Sequence, residues 1–296
     1  MERSTAFQKG KTRTFSLHGW LGLALIAVFW TVNWASTGLR THWAFFPLWV
    51  GYCLTVDALT LYRTGDSLIT RSWRKYLGLF LVSAPAWWLF EGANWRLQNW
   101  IYDGAEFFTP LQFFLFSTLC FTTVVPAVFG SAELAASFSW FRRPVRGPVI
   151  RPTRRVTLAF FSAGLVMFVL MWLWPRLFFP FLWISIFFLL EPVNIWLGNR
   201  SLARWLERGD WRPVLALWAG VLLTAFFWEM WNVYAYPKWL YNIPYANCCK
   251  VFEMPLLGYG GYLPFALELY AMYHLVMGFL GKKTVSYLRF DEERAG

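Results

Sequence analysis

Charge is scarce in this chain. Only 15% of its 296 residues are Asp, Glu, Lys or Arg, against 58% hydrophobic. That excludes a disordered chain or an ordinary soluble domain and fits an all-α, polytopic integral membrane protein. Histidine is rarer still, with three copies, and the four cysteines (Cys53, Cys120, Cys248 and Cys249) form no CxxC pair. No metal site is spelled out by such spacing, and no cofactor motif is present. The adjacent Cys248 and Cys249 fall in a loop expected outside the membrane, where two free thiols are expected rather than a strained vicinal disulfide. An Asp-rich prenyl-diphosphate motif of the NDxxD type is missing, which argues against a prenyltransferase. No small-residue cleavage site follows the first apolar stretch, so that stretch is expected to stay as a span.

What the chain has in excess is aromatic residues: 21 Trp, 13 Tyr and 30 Phe. Trp and Tyr favour the headgroup depth of a bilayer. There are more of them than interfacial belts need, so many are expected to line the interior of the bundle. The net charge of +11 would suit a nucleic-acid partner. Its distribution does not, because the basic residues come in short segments between apolar spans, as the positive-inside rule produces. No nucleic-acid partner is expected.

Apolar runs near the ~20 residues that a bilayer requires predict about eight transmembrane helices, over 16–35, 44–62, 76–94, 108–130, 156–174, 178–197, 213–232 and 255–280. Of the Lys and Arg residues, 22 fall in the termini and in alternate connections, and five, Arg40, Arg96, Arg176, Lys238 and Lys250, fall on the other side. Both termini are thereby expected in the cytoplasm.

The chain also repeats itself. Trp49, Asp57 and Ser67-Leu68 recur as Trp183, Glu191 and Ser201-Leu202. Glu91, Asn94 and Trp100-Ile101-Tyr102 recur as Glu229, Asn232 and Trp239-Leu240-Tyr241, and Pro110-Leu111 recurs as Pro255-Leu256. The offset drifts from 134 to 145 residues. Two parallel four-helix repeats are expected, 1–140 and 156–296, joined by a basic cytoplasmic linker over 141–155, with a site where the halves meet.

A carboxylate at lipid depth is expensive, so each repeated acid is a site candidate. At ~1.5 Å per residue, Asp57 and Glu191 fall in the cytoplasmic half and Glu91 and Glu229 near the outer end, in two layers separated by roughly 10 Å. Glu91 and Asn94 share a helix face, as do Glu229 and Asn232. These four are the candidate catalytic residues, with each amide as the orienter of its carboxylate. Trp100, Tyr102, Trp231, Trp239, Tyr241, Glu253 and Glu268 are the candidate substrate-binding residues. The bland alternative for Glu91 and Glu229 is a bond to backbone, Arg96 or Lys238 that merely fixes the repeat interface. For Asp57 and Glu191 it is snorkelling toward Arg63 or Arg200. His274 among apolar neighbours reads as a packing residue. Pro85, Pro126, Pro192 and Pro264 are expected to kink their helices.

The run Trp88-Leu89-Phe90-Glu91, Trp100-Ile101-Tyr102 and Thr109-Pro110-Leu111-Gln112-Phe113-Phe114-Leu115-Phe116 resembles the lycopene cyclase domain, the membrane type without an FAD motif. The second half offers Trp228-Glu229, Trp239-Leu240-Tyr241 and Met254-Pro255-Leu256-Leu257. The resemblance implies a helical membrane fold and acid-initiated cyclisation of an apolar polyene, with two Glu after Pro-Leu as the expected acids. Here those positions hold Gln112-Phe113 and Leu257-Gly258, so the resemblance speaks for the fold more than for the reaction. Three functions fit the sequence. One is an isoprenoid- or lipid-modifying enzyme. Another is a proton- or cation-coupled carrier. The third is a non-catalytic subunit that binds a membrane lipid, an isoprenoid or another protein. A homo-oligomer is compatible with each.

Overall fold

The computed structural model describes residues 14–36, 42–143, 145–282 and 287–290. The first half holds α1 (Leu17–Ala35), α2 (His42–Thr64), the short α3 (Leu68–Arg71), α4 (Trp73–Leu97), strand β1 (Trp100–Asp103), α5 (Pro110–Phe121), α6 (Val124–Ala136) and the short α7 (Ser139–Arg142). The second half holds α8 (Arg154–Leu173), the short α9 (Pro175–Phe178), α10 (Leu182–Trp196), the short α11 (Ala203–Leu206), α12 (Arg212–Asn232), strands β2 (Lys238–Tyr241), β3 (Lys250–Val251) and β4 (Met254–Pro255), and α13 (Tyr262–Phe279). Among the described residues, six helical stretches are long and apolar enough to cross a membrane: Leu17–Ala35, Trp43–Thr64, Pro110–Ala136, Arg154–Leu173, Pro175–Trp196 and Arg212–Asn232. α4 and α13 coincide with the other two expected spans but carry more polar cargo, Arg74, Lys75, Glu91 and Arg96 in the first and Glu268 and His274 in the second.

The stretch from 110 to 136 is not one rod. Pro126 has no N–H for the Thr122 carbonyl, and its ring clashes with that carbonyl, so α5 ends at Phe121 and α6 restarts at Val124. Ser83 on α4 closes the gap: its hydroxyl donates to the Phe121 carbonyl at 2.5 Å and accepts from the Val125 amide at 3.0 Å. Pro85 and Pro192 lie inside continuing helices. Pro264 does not kink its helix. It is the third residue of α13, in the first turn, where proline's missing N–H has no intrahelical partner to lose.

The helices pack in the same order in both halves. In the first, α1 lies on α2, and α2 and α4 lie on α6; in the second, α8 lies on α10, and α10 and α12 lie on α13. The main contact between halves is α12 on α6, where Gly220 comes so close that a Cβ there would stand 2.4 Å from the Ala132 nitrogen. Close backbone approach at small residues is how helices associate in lipid, where no hydrophobic force separates protein from solvent. Hydrogen bonds add to it, from Tyr52 to Ser131 at 2.7 Å and from Thr224 to Ser131 at 3.1 Å, tying α2, α6 and α12 together. α1 and α8 are peripheral and mostly exposed along their apolar lengths, as lipid-facing helices are.

One end of the bundle collects the basic connections. The linker backbone docks on the 205–211 segment, with Gly147 and Ile150 donating to the Gly209 and Leu206 carbonyls at 3.0 Å each. Arg63 donates to Ser137 at 2.7 Å, and Arg71 bonds Glu133 and Asp66. The 287–290 segment joins them: Tyr287 donates to the Leu68 carbonyl at 2.6 Å, Arg289 pairs with Asp66 at 2.6 Å, and Leu288 and Phe290 are buried. The opposite end carries the strands.

Candidate functional site

The two Trp-x-Tyr segments are strands, and they pair with each other across the halves. β1 and β2 run antiparallel, with Trp100 opposite Tyr241, Ile101 opposite Leu240, Tyr102 opposite Trp239 and Asp103 opposite Lys238. A strand alternates its faces, so Trp100 and Tyr102 share one side while Ile101, half exposed, points to the other. That period explains the spacing seen in the sequence.

Asn94 and Asn232 seat these strands. The Asn94 amide donates to the Trp100 carbonyl at 2.8 Å and its oxygen accepts from the Asn99 and Trp100 amides at 2.9 and 3.3 Å. Asn232 donates to the Trp239 carbonyl at 2.7 Å and accepts from the Trp239 amide at 3.0 Å. Both amides face strand backbone instead of orienting the carboxylates, because each asparagine sits one turn past its acid, where the chain leaves the helix for the strand.

The outer carboxylates meet aromatic donors. Glu91 Oε1 accepts from Tyr102 at 2.6 Å, Trp87 at 2.9 Å and Trp100 at 3.1 Å. Glu229 Oε1 accepts from Tyr262 at 2.6 Å and Tyr241 at 2.7 Å. Glu229 is fully buried, and among the described residues its Oε2 makes no well-formed hydrogen bond. Burial first, and then the adjoining Glu91 carboxylate, push the Tyr102 phenol well above its usual range; burial and Glu229 do the same to Tyr241. Both phenols are therefore held as O–H donors. Arg96 and Lys238 do not replace them as partners: Lys238 pairs with Glu253 at 2.6 Å and donates to the Val233 carbonyl.

These aromatic donors line a cavity of about 640 Å³. Trp87, Trp100, Tyr102, Phe113 and Phe121 line it from the first half, and Trp183, Trp228, Trp239, Tyr241, Tyr262 and Phe265 from the second. Its size and apolar lining suit a lipid-sized ligand. Among the described residues no carboxylate lies on its wall; Glu91 and Glu229 stand one layer behind, reached through the phenols and indoles. A few polar groups face in elsewhere, among them Ser117, Cys120 and Thr123.

The remaining candidates lie apart from this cavity. Trp231 is fully buried against Trp30, Trp49, Tyr52 and Phe227, so it is core and not a binding wall. Glu253 pairs with Lys238 beside the outer loop and is absent from the wall. Glu268 is fully buried on α13 next to the Ile186 and Phe187 backbone, with neither oxygen in a well-formed hydrogen bond, and it too is absent from the wall. His274 contacts Tyr270 through its ring and its carbonyl, a packing role.

The inner acids do something different. Asp57 Oδ1 accepts the Ile69 amide at 3.0 Å, and Glu191 Oε1 accepts the Ala203 amide at 2.9 Å, in each case from the residue twelve positions on. Each thus ties its helix to the short helix, α3 or α11, that follows. Asp57 Oδ2 also lies 3.1 Å from His18 Nε2. Snorkelling toward Arg63 does not occur, since Arg63 turns to Ser137 and lies over the Phe138 ring at 3.7 Å.

Sequence reasoning missed Tyr262, Trp87 and Glu133. Trp87 sits four residues before Glu91, a spacing that puts both on one helix face, and that was a readable signal. Glu133 lies past the expected end of its span and is a buried partner of Arg71 that also accepts the Arg289 amide at 2.9 Å. Among the described residues no three His, Cys, Asp or Glu side chains converge as a metal site.

Comparison with family models, with curated proteins and with solved structures returned no match.

Proposed function

We propose that this is an integral membrane protein of two four-helix repeats, with both termini cytoplasmic, that binds an apolar lipid of the isoprenoid class in the aromatic cavity where the repeats meet. The observation that carries the reading is the cavity itself. Both halves build it, its wall is nearly all aromatic and aliphatic, and its donors are tied to carboxylates that stay off its surface. The matched packing order and the Trp-x-Tyr pairing support the repeats. So does an exchange of partners: Trp49 packs on Trp228 at 5.3 Å, and its counterpart Trp183 packs on Phe90, the counterpart of Trp228, at 5.6 Å.

Part of each half that resembles lycopene cyclases lines this wall, Trp100, Tyr102, Phe113 and Phe116 in the first and Trp239, Tyr241 and Leu257 in the second, which supports a shared architecture. At the positions where that family is expected to carry its two acids, Phe113, Leu257 and Gly258 line the cavity. Proton-initiated cyclisation from those positions is thereby disfavoured, and holding or presenting a lipid is favoured. A modifying enzyme is the second reading, because a cavity-facing phenol bonded to a buried carboxylate is a route for a proton. A cation path has less support, since one oxygen of each inner acid is held by a backbone amide that ties it to the following short helix.

The test is purification in mild detergent followed by mass spectrometry of the retained lipid, on wild type and on Ser117→Trp/Cys120→Trp, which fills the cavity from α5. Retention of one polyene, quinone or prenyl lipid by wild type and its loss in the variant is the expected result. Bulk phospholipid alone in both would sink the proposal.

A further inference from the structure

The two halves differ most in the loop after the paired strands. Nine residues separate Trp100 from Pro110, but fifteen separate Trp239 from Pro255, so the second half carries an insertion here. It lies at the strand-bearing end, opposite the basic connections. Its residues Ile243, Ala246 and Met254 line the cavity, and so do Leu257 and Gly258 just beyond, so this loop forms part of the cavity's cover. The inserted segment holds two adjacent, exposed, free cysteines, Cys248 and Cys249.

We propose that Cys248 and Cys249 are a redox modification site: they close reversibly into a vicinal disulfide that resets the cover over the cavity. The proposal rests on the reading of that cavity as a lipid site. Three observations bear on it. The two thiols stand on adjacent residues, both free and exposed, and the Cys249 thiol donates toward the Cys248 sulfur, which holds the Cys249 thiol above its usual range. The loop is conformationally loaded, with Tyr245, Cys249 and Phe252 all left-handed at φ 62°, 53° and 58°, a region non-glycine residues seldom occupy. And Cys249 is wired to the wall: its carbonyl accepts the Leu256 amide at 3.1 Å, while β3, starting at the next residue, pairs with β4, which carries Met254 into the cavity.

The coupling follows from geometry. Adjacent Cα atoms stand about 3.8 Å apart, closer than the roughly 4.4 Å at which ordinary disulfides begin. Ring closure therefore twists the 248–249 peptide and, by rotating the Cys249 backbone on its far side, shifts the Cys249 carbonyl against the Leu256 amide. The β3–β4 hairpin and Leu257 then move with it. The same strain makes the ring easy to reduce, which suits a reversible site. On the expected non-cytoplasmic side of the membrane, an oxidised pair persists. The oxidant is a low-molecular-weight disulfide. A cysteine thiolate attacks one of its sulfurs and expels one thiolate, and the second cysteine then displaces the other. Two cysteine S–H bonds and the oxidant's S–S bond break, one S–S bond forms in the protein, and the oxidant leaves as two thiols.

The test treats full-length protein in nanodiscs with oxidised glutathione, then with a reductant, and reads two things. Intact mass reports ring closure, and the binding rate of the fluorescent polyene trans-parinaric acid reports the cover. The expected result is loss of two hydrogen masses per chain, restored by reductant, with probe entry changed roughly tenfold and neither effect in Cys248→Ser/Cys249→Ser. Unchanged mass, two glutathione adducts or dimers linked between chains would overturn the site. Ring closure with unchanged probe entry would overturn the coupling to the cover. Ring closure with no probe binding in any state would overturn the coupling together with the cavity reading, while leaving the closure itself established.

Discussion

The inner and outer acids are alike in chemistry and unlike in work. Asp57 and Glu191 accept backbone amides from the short helices that follow them. Glu91 and Glu229 accept phenols and indoles that face a cavity. In a dry interior every carboxylate needs donors, and the donor it finds decides what it does. A backbone donor makes the acid a fastener between two pieces of chain. A cavity-facing side chain makes it a support for whatever the cavity holds. Depth alone therefore does not mark a functional acid.

The largest expected effect is at the inner end. Glu133→Ala leaves Arg71 buried without its main partner, at a cost of about 3–5 kcal/mol. Thermal unfolding in nanodiscs reads the loss, and the 287–290 segment should become open to protease, because the Arg289 amide loses its acceptor too. Next comes Glu191→Ala, which orphans the Ala203 amide and should cost about 1–3 kcal/mol. Glu191→Gln keeps an acceptor and should be nearly neutral. If Glu191→Gln abolished lipid retention while folding was intact, the division between inner and outer acids would fail.

Smaller in stability, but sharper for function, is Tyr241→Phe. It removes one of two phenols on Glu229 and should cost roughly 1–2 kcal/mol while weakening lipid retention, measured by mass spectrometry. Tyr102→Phe should be milder, because Trp87 and Trp100 still hold Glu91. Equal effects would remove the asymmetry between the halves. The smallest effect is at Asp210. Burial works to raise its carboxyl, but the side-chain and backbone bonds from Arg212 outweigh it and hold the carboxyl below the usual range. A depressed folded value stabilises above the ordinary Asp value of about 4 and is lost as pH falls through the folded one. Unfolding midpoints measured from about pH 6 to about pH 3 should fall slightly less in Asp210→Asn than in wild type.

The helical layout was legible because apolar runs of bilayer length are a strong signal, and the expected spans coincide with the long helices to within a few residues at most ends. The pairing of the two Trp-x-Tyr segments was not read, although their two-residue period is a strand period. Four residues are too few to stand out, and the partner lies in the other half of the chain. Glu91 with Tyr102 and Glu229 with Tyr241 were legible as a repeated constellation; Tyr262, which has no counterpart in the first half, was not. The roles of Asn94 and Asn232 were not, since a shared helix face cannot show that the chain folds back over the amide. Trp231 and Glu268 stand near wall residues in the sequence, yet the helix turns them toward the core and toward α10. Glu133 escaped because its helix runs on to Ala136, past the expected end at 130, and its partner, Arg71, lies 62 residues away.

The most direct measurement is photoaffinity labelling with a prenyl alcohol bearing a diazirine, followed by peptide mapping of the labelled protein in nanodiscs. Labels concentrated in residues 113–121 and 254–265, and competed away by unlabelled prenyl alcohol, are the predicted result. Labels spread over the outward faces of α1 and α8 in proportion to their lipid exposure, with no competition, would contradict a lipid site between the two halves.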